Sequence, residues 1–424
     1  VYRYTRRDVA TAPRPRAAEN PAAENPRPEN PRPENPRPEK AGAEAFRRDA
    51  PTLIGYLAIA GYAFWLYAFG PALTLLRAEL HFSYTLVGLY SALWSAGAVV
   101  TGFGFARLAR RLPRNAVLWW SAAGSVAGVA LFTAGRTVPL TLAGAALTGL
   151  AGATLLTCAQ AVLSDRHGDG RDRALTEANV LAAGCAVLAP LLLGLLQDTP
   201  ATWRPVFGLP VLLLVGMYLR YRRQPLPAAT ARHPDAGRLP LACWLLAGMT
   251  AIGVAIEFCP VYFGAELLTS TGLRATQAAT AISAFYLGIL VGRVGGAWLT
   301  RRAGRTVPVL WGSLAVTAAG FVLFWLAGLP APAIAGLFAC GLGLANLYPL
   351  SLALAMAAAP GHGDTANARV GLLGGVIVIA APYLLGSLAD HVGLRAAFTV
   401  EPALIGACAV LLLAGLRLTQ HPAK

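Results

Sequence analysis

From residue 52 onward the chain alternates long apolar runs with short, mostly basic breaks. The runs fall at 52–76, 83–106, 116–135, 139–162, 176–197, 205–221, 241–265, 276–300, 306–328, 332–358, 366–388 and 396–417. Most reach the ~20 residues that an α-helix needs to cross about 30 Å of hydrocarbon. Inside lipid every peptide N–H and C=O must be satisfied within its own segment, so apolar runs of this length predict helices. The pattern therefore predicts an all-α membrane protein with twelve transmembrane helices. Basic residues set its orientation. With the N-terminus inside, about 20 Lys and Arg after residue 40 fall on one side, and about five (Arg77, Arg136, Arg204, Arg274, Arg395) on the other. The expected location is the inner (cytoplasmic) membrane, with both termini cytoplasmic.

The first fifty residues follow a different rule. Glu19, Glu24, Glu29, Glu34 and Glu39 mark a five-residue repeat whose later copies read E-N-P-R-P. Proline at this density forbids a helix and nothing apolar is present to bury, so residues 1–50 are expected to be a disordered, proline-rich tail. An apolar stretch of signal-peptide type is missing from it.

Composition supports the membrane reading, because 56% of the 424 residues are hydrophobic and only 13% charged, about half the charge of a soluble domain. Mean hydropathy is +0.55. The net charge of +15 does not point to nucleic acid, since the arginines punctuate apolar runs and form no soluble basic face. All six cysteines lie in apolar runs without C-x-x-C spacing, and the histidines lie in the tail end or in breaks. Neither metal nor cofactor is expected.

The chain also repeats itself. Ala106-Arg-Leu-Ala-Arg-Arg-Leu-Pro-Arg-Asn115 lines up with Ala297-Trp-Leu-Thr-Arg-Arg-Ala-Gly-Arg-Thr306, 191 residues on. Ala189-Pro-Leu-Leu-Leu-Gly-Leu-Leu-Gln-Asp198 lines up with Ala381-Pro-Tyr-Leu-Leu-Gly-Ser-Leu-Ala-Asp390, and Arg204-x-x-Phe207 with Arg395-x-x-Phe398. Shared apolar composition does not explain Arg, Pro, Asp and Gly at fixed offsets. The prediction is a duplication: a six-helix half at 51–221, a cytoplasmic linker at 222–240 and a second half at 241–424. An even number of helices gives both halves the same orientation.

Two six-helix halves, a basic turn after the second and eighth spans and a central polar loop resemble the major facilitator superfamily. That family's turn reads Gly-x-x-x-Asp-Arg-x-Gly-Arg. Here Arg111 and Arg114, then Arg302 and Arg305, keep its arginines, Gly304 keeps one glycine, and Arg110 and Arg301 replace the aspartate. The resemblance implies a cytoplasmic gate at these six arginines, wired without the family's acid; headgroup anchoring and helix capping are the alternative role. Glu257, the run Gly288-x-x-x-Gly292-Arg293, and Gly341-Leu-Gly-Leu-Ala-Asn346-Leu-Tyr-Pro349 resemble the fucose-permease branch. Of the proline-glycine pattern of drug antiporters only Gly184, Pro190 and Gly194 are present, which leaves the direction of transport open.

Away from span ends, Glu257 and Arg293 are the acid and base that interrupt apolar runs. A charge at membrane depth costs ~3 kcal/mol on insertion scales, so such residues normally face a cavity or a bundle interior. Counting from flanking charges sets them ~8 Å to opposite sides of their span centres, which disfavours a permanent ion pair. An isolated carboxylate at this depth is suited to loading and releasing a proton, so the pair is assigned to proton coupling and substrate. Tyr62, Trp65, Tyr67, Tyr90, Trp94, Gln160, Asn179, Tyr286, Asn346, Tyr348 and Tyr383 are candidate hydrogen-bonding groups of an otherwise apolar pocket, with spans 1, 4, 7 and 10 lining the path as the resemblance implies. Gly97, Gly102, Gly292, Gly295 and Gly296 are expected at close helix approaches, and Gly70-Pro71 and Tyr348-Pro349 at bends.

The expected function is secondary active transport of a small solute by alternating access, proton-coupled, by a monomer that needs only its substrate, protons and membrane lipids. The chain has no G-x-x-x-x-G-K-[ST] sequence for nucleotide drive. A non-transporting receptor is the alternative. A membrane-embedded transferase is the weaker one, because it would need a large loop or domain, and no break after residue 51 exceeds about twenty residues.

Overall fold

The computed structural model describes residues 46–197, 202–227, 238–301, 304–360 and 362–420. The tail as far as residue 45, the linker stretch 228–237 and the gate candidate Arg302 lie outside the described residues. The helices are α1 (Ala50–Leu80), α2 (Tyr84–Arg111), α3 (Arg114–Ala134), α4 (Val138–His167), α5 (Arg171–Gln197), α6 (Gly208–Tyr221), α7 (Leu241–Thr269), α8 (Ala275–Leu299), α9 (Thr306–Leu326), α10 (Pro330–Leu344), α11 (Leu347–Ala357), α12 (Gly363–Val392), α13 (Leu394–Ala397) and α14 (Val400–Gln420). The pairs α10 with α11 and α13 with α14 each make one span. Among the described residues, eleven spans are long and apolar enough to cross a membrane. The twelfth, α6, is led by a 3₁₀ turn at Arg204–Phe207, where Pro205 supplies no N–H for an α-helical bond.

Proline also shapes the tenth span, predicted as one run. It breaks between Leu344 and Leu347, because Pro349 has no N–H for the carbonyl four residues back. By contrast α1 continues through Pro71 as one helix.

The duplication is visible as packing. A Cβ on Gly149 would collide with the Trp94 carbonyl of α2, and a Cβ on Gly341 with the Phe285 carbonyl of α8, the same contact 191–192 residues on. Likewise Gly144 lies against Phe132, and Gly336 against Phe324. The Arg-x-x-Phe repeat has a local task. Arg204 donates to the Thr133 carbonyl at the end of α3 (2.9 Å), and Arg395 to the Ala327 carbonyl at the end of α9 (3.2 Å). Each arginine thereby satisfies an orphan carbonyl at a helix C-terminus. Phe207 packs on Phe132 and Phe398 on Phe324, at 5.6 and 6.4 Å between ring centroids.

The tail expected to end at residue 50 is tied down four residues earlier. Asp49 caps α1 by accepting from the Thr52 N–H (3.2 Å) and takes Arg166 Nε at 2.6 Å. Arg48 makes a two-pronged bond to Glu177 (2.8 and 2.7 Å), and Phe46 stacks on His167 at 4.4 Å. Burial works to raise the Asp49 carboxyl, but the hydrogen bonds from Thr52 and Arg166 outweigh it and hold it below the ordinary aspartate range.

Candidate functional site

An odd number of crossings separates the start of α1 from the α1–α2 turn, so the bundle has a near face, where α1 begins and α14 ends, and a far face. At the far face the halves are pressed together. A Cβ on Gly70 would strike the Val261 backbone, one on Gly88 the Tyr383 backbone, and one on Gly386 the Tyr84 carbonyl. Arg77 of α1 reaches Glu266 of α7 at 3.2 Å, and its guanidinium lies 4.0 Å from the Tyr84 ring centre. Asp390 of α12 caps α2 of the other half: its carboxylate accepts from the backbone N–H of Tyr84 (2.8 Å) and Thr85 (2.7 Å) and from the Thr85 hydroxyl (2.5 Å). A carboxylate at a helix N-terminus is favoured by both the free N–H groups and the dipole.

Toward the near face the same two helices part. Phe103 and Gly102 of α2 and Ala368 and Arg369 of α12 line a hollow of about 460 Å³. Gly371 and Gly374 have nothing within 4 Å of a notional Cβ. Along α2 and α12 the halves are thus sealed at one end and parted at the other.

Glu257 and Arg293 lie between these ends, where the halves meet. They line one small hollow with Tyr67 of α1, Ala183 and Ala186 of α5, and Tyr286 of α8. Its volume is about 10 Å³, room for about one water. Tyr67 stands edge-on to Tyr286 at 4.9 Å across the interface. The Tyr286 hydroxyl is buried with no partner, Glu257 is partly accessible and Arg293 exposed. Among the described residues no ion pair joins Glu257 to Arg293. The depth count is corrected by the structure. Helix α7 continues past Glu266, which is paired rather than in a loop, so Glu257 stands about two residues, ~3 Å, from its helix midpoint. Arg293 remains ~9 Å from its own, toward the near face.

At the level of this hollow and from it toward the far face, aromatics from both halves fill the space. Trp94 donates to the Tyr62 hydroxyl at 3.3 Å, and Phe69 contacts Trp94 and Tyr262 at centroid distances of 4.2 and 6.2 Å. Other pocket candidates have their polar atoms bonded within one half. Trp65 donates to the Phe207 carbonyl (2.9 Å), Tyr90 pairs with Thr141 (2.5 Å), and Asn346 donates to the Gly292 carbonyl (3.0 Å). Gln160, Asn179, Tyr348 and Tyr383 are exposed.

Of the arginines read as a cytoplasmic gate, those described lie at the near face, and none of them bridges the halves. Arg114 pairs with Asp165 inside the first half, while Arg110, Arg111, Arg301 and Arg305 are exposed. Gly97, Gly292 and Gly296 are close helix approaches, to α4, α10 and Asn346 respectively. Gly102 and Gly295 are not, because both lie where their helix faces open space.

Two acids escaped the sequence reading. Glu266, one residue beyond the run 241–265, is 9% exposed and part of the far-face seal. Glu401, in the first turn of α14, is 1% exposed, with the Cys259 thiol of α7 beside its carboxylate. Its only signal was an acid five residues inside the last apolar run.

The Major Facilitator Superfamily model matches the chain twice, over residues 53–263 and 243–424, and the chain belongs to that superfamily. Solved structures agree on the fold. A bacterial homolog of the human lysosomal transporter Spinster, inward-facing and occupied, superposes with TM-score 0.70 at 14% identity over 87% of this chain and 96% of its own. The nucleoside transporter NupG superposes with TM-score 0.67 at 13% identity over 88% of this chain and 98% of its own. No curated protein matches the chain. The chain is thus a multi-pass membrane protein with a transporter fold built from two repeats.

Proposed function

We propose that the protein is a monomeric, proton-coupled secondary transporter of the cytoplasmic membrane, in which the halves 51–221 and 241–424 rock about the hollow at Glu257. The near face is the cytoplasmic one, as the arginine asymmetry argues, so both termini are cytoplasmic and the conformation described is inward-facing. The observation that carries the reading is the position of Glu257. It is a carboxylate with no ion-pair partner among the described residues, at mid-depth, lining the seam between halves whose α2 and α12 are sealed on one side and parted on the other. Glu257 loads and releases the coupling proton. Arg293, exposed on the same hollow, biases that protonation or holds an anionic group of the substrate. The resemblance of Glu257, Gly288-x-x-x-Gly292-Arg293 and Asn346-Leu-Tyr-Pro349 to the fucose-permease branch supports a small solute as the cargo. The 10 Å³ hollow does not hold such a molecule, so substrate enters by the wider near-face gap and the site opens as the halves move.

A thermal-shift screen across sugars, organic acids and cations supplies the substrate, and proteoliposomes supply the test. Glu257→Gln keeps size and hydrogen bonding but carries no proton. It is expected to abolish accumulation driven by a pH gradient while exchange at equal pH persists. Accumulation equal to wild type would refute the coupling role.

A further inference from the structure

A second site lies on the lipid-facing side of the first half, away from the transport seam. Helices α3 and α6 part to leave a groove of about 830 Å³. Most of its length is apolar, walled by small residues of α3 and by Leu214 and Val215 of α6. From Asn115 to Ala130 it runs ~22 Å along α3, more than the ~15 Å of one leaflet's hydrocarbon. The near-face end is different in kind. Arg222 and Arg223 stand at its mouth, and among the described residues neither meets a carboxylate. Beneath them two buried polar atoms lack partners: the Trp119 indole Nε1 and the Asn115 Oδ1. Tyr218 fixes the Trp119 ring edge-on at 5.2 Å, and the Arg222 guanidinium lies 5.9 Å from the Tyr218 ring centre. Asn115 is held by its Nδ2, which donates to the Gln224 carbonyl at 2.9 Å.

Buried donors and acceptors left unmade are costly, so a polar end of this kind in an apolar groove calls for a ligand with polar and apolar parts in the same order. Two guanidiniums and an indole N–H are donors that suit a phosphate, while Asn115 Oδ1 accepts from a hydroxyl. The duplication provides an internal control. At 191 or 192 residues from Tyr218, Arg222 and Arg223 stand Ala409 or Val410, Leu413 or Ala414, and Ala414 or Gly415. The fold therefore does not require the polar set. Anchoring by arginines at the headgroups accounts for Arg222 and Arg223, but not for the unpaired atoms beneath them.

We propose that this groove binds an anionic phospholipid of the near-face leaflet, phosphatidylglycerol in chemistry, with its phosphate on Arg222, Arg223 and Trp119, its headgroup hydroxyl on Asn115 and an acyl chain along α3. The test is native mass spectrometry of the full-length protein in detergent, titrated with phosphatidylglycerol or phosphatidylcholine of the same acyl chains. Wild type is expected to retain phosphatidylglycerol on the order of tenfold better. Arg222→Ala with Arg223→Ala is expected to bring the two lipids to parity, and Trp119→Phe, which keeps the ring and loses the N–H, to weaken retention several-fold at unchanged thermal stability. Equal retention by wild type would overturn the proposal. So would an equal loss on changing Arg110 and Arg111 to Ala, which would show surface charge alone, or displacement of the lipid by glycerol phosphate at matched concentration, which would show that the arginines take a free phosphate without the groove.

Discussion

Arg77 carries the far-face seal at the scale of single residues. It bridges α1 to α7 through Glu266 and covers the Tyr84 ring at the start of α2. Removing the guanidinium leaves Glu266, only 9% exposed, as a charge without its partner. Arg77→Ala is therefore expected to cost about 1–3 kcal/mol in thermal or denaturant unfolding of the detergent-solubilised protein. It is also expected to speed thiol labelling of cysteines introduced near His81. Combining it with Glu266→Gln should recover part of the loss, because the neutral amide tolerates burial better than a lone carboxylate. Full additivity would mean that the two residues act independently.

At the scale of helices, glycines decide where backbones meet. Gly149 and Gly341 sit at duplicate crossings, against the carbonyls of Trp94 and Phe285, while Gly102 faces open space. Gly149→Leu and Gly341→Leu are each expected to lose about 1–3 kcal/mol or more through forced separation of helices, whereas Gly102→Leu should leave the melting temperature near wild type. The spans themselves were legible in the sequence, because a bilayer imposes a length and a polarity on each. The duplication was legible because arginine, proline and aspartate recur at one displacement. The contacts that seal the far face were not. Arg77 and Glu266 are 189 residues apart, and Asp390 caps a helix that begins 306 residues earlier, so no local pattern joins them. Polar aromatics were ambiguous for a related reason: Trp65 and Tyr90 spend their polar atoms inside one half, while Tyr67 and Tyr286 meet at the seam, and the two kinds read alike in the sequence.

For the whole molecule the decisive feature is asymmetry between the faces. The same pair of helices, α2 and α12, is capped and backbone-tight at one end and parted around a 460 Å³ hollow at the other. A transporter of this fold must be able to exchange those conditions, and among the described residues packing, one ion pair and one helix cap hold the far face closed. The most direct measurement uses spin labels at His81 and Val392 for the far face, and at Phe103 and Ala368 for the near face, with double electron–electron resonance in lipid nanodiscs across pH and in the Glu257→Gln variant. Alternating access predicts two populations with opposed distances, the far pair lengthening as the near pair shortens, and a balance that moves with pH in wild type but is fixed in Glu257→Gln. Distances that stay constant at both faces, or that lengthen together, would contradict it.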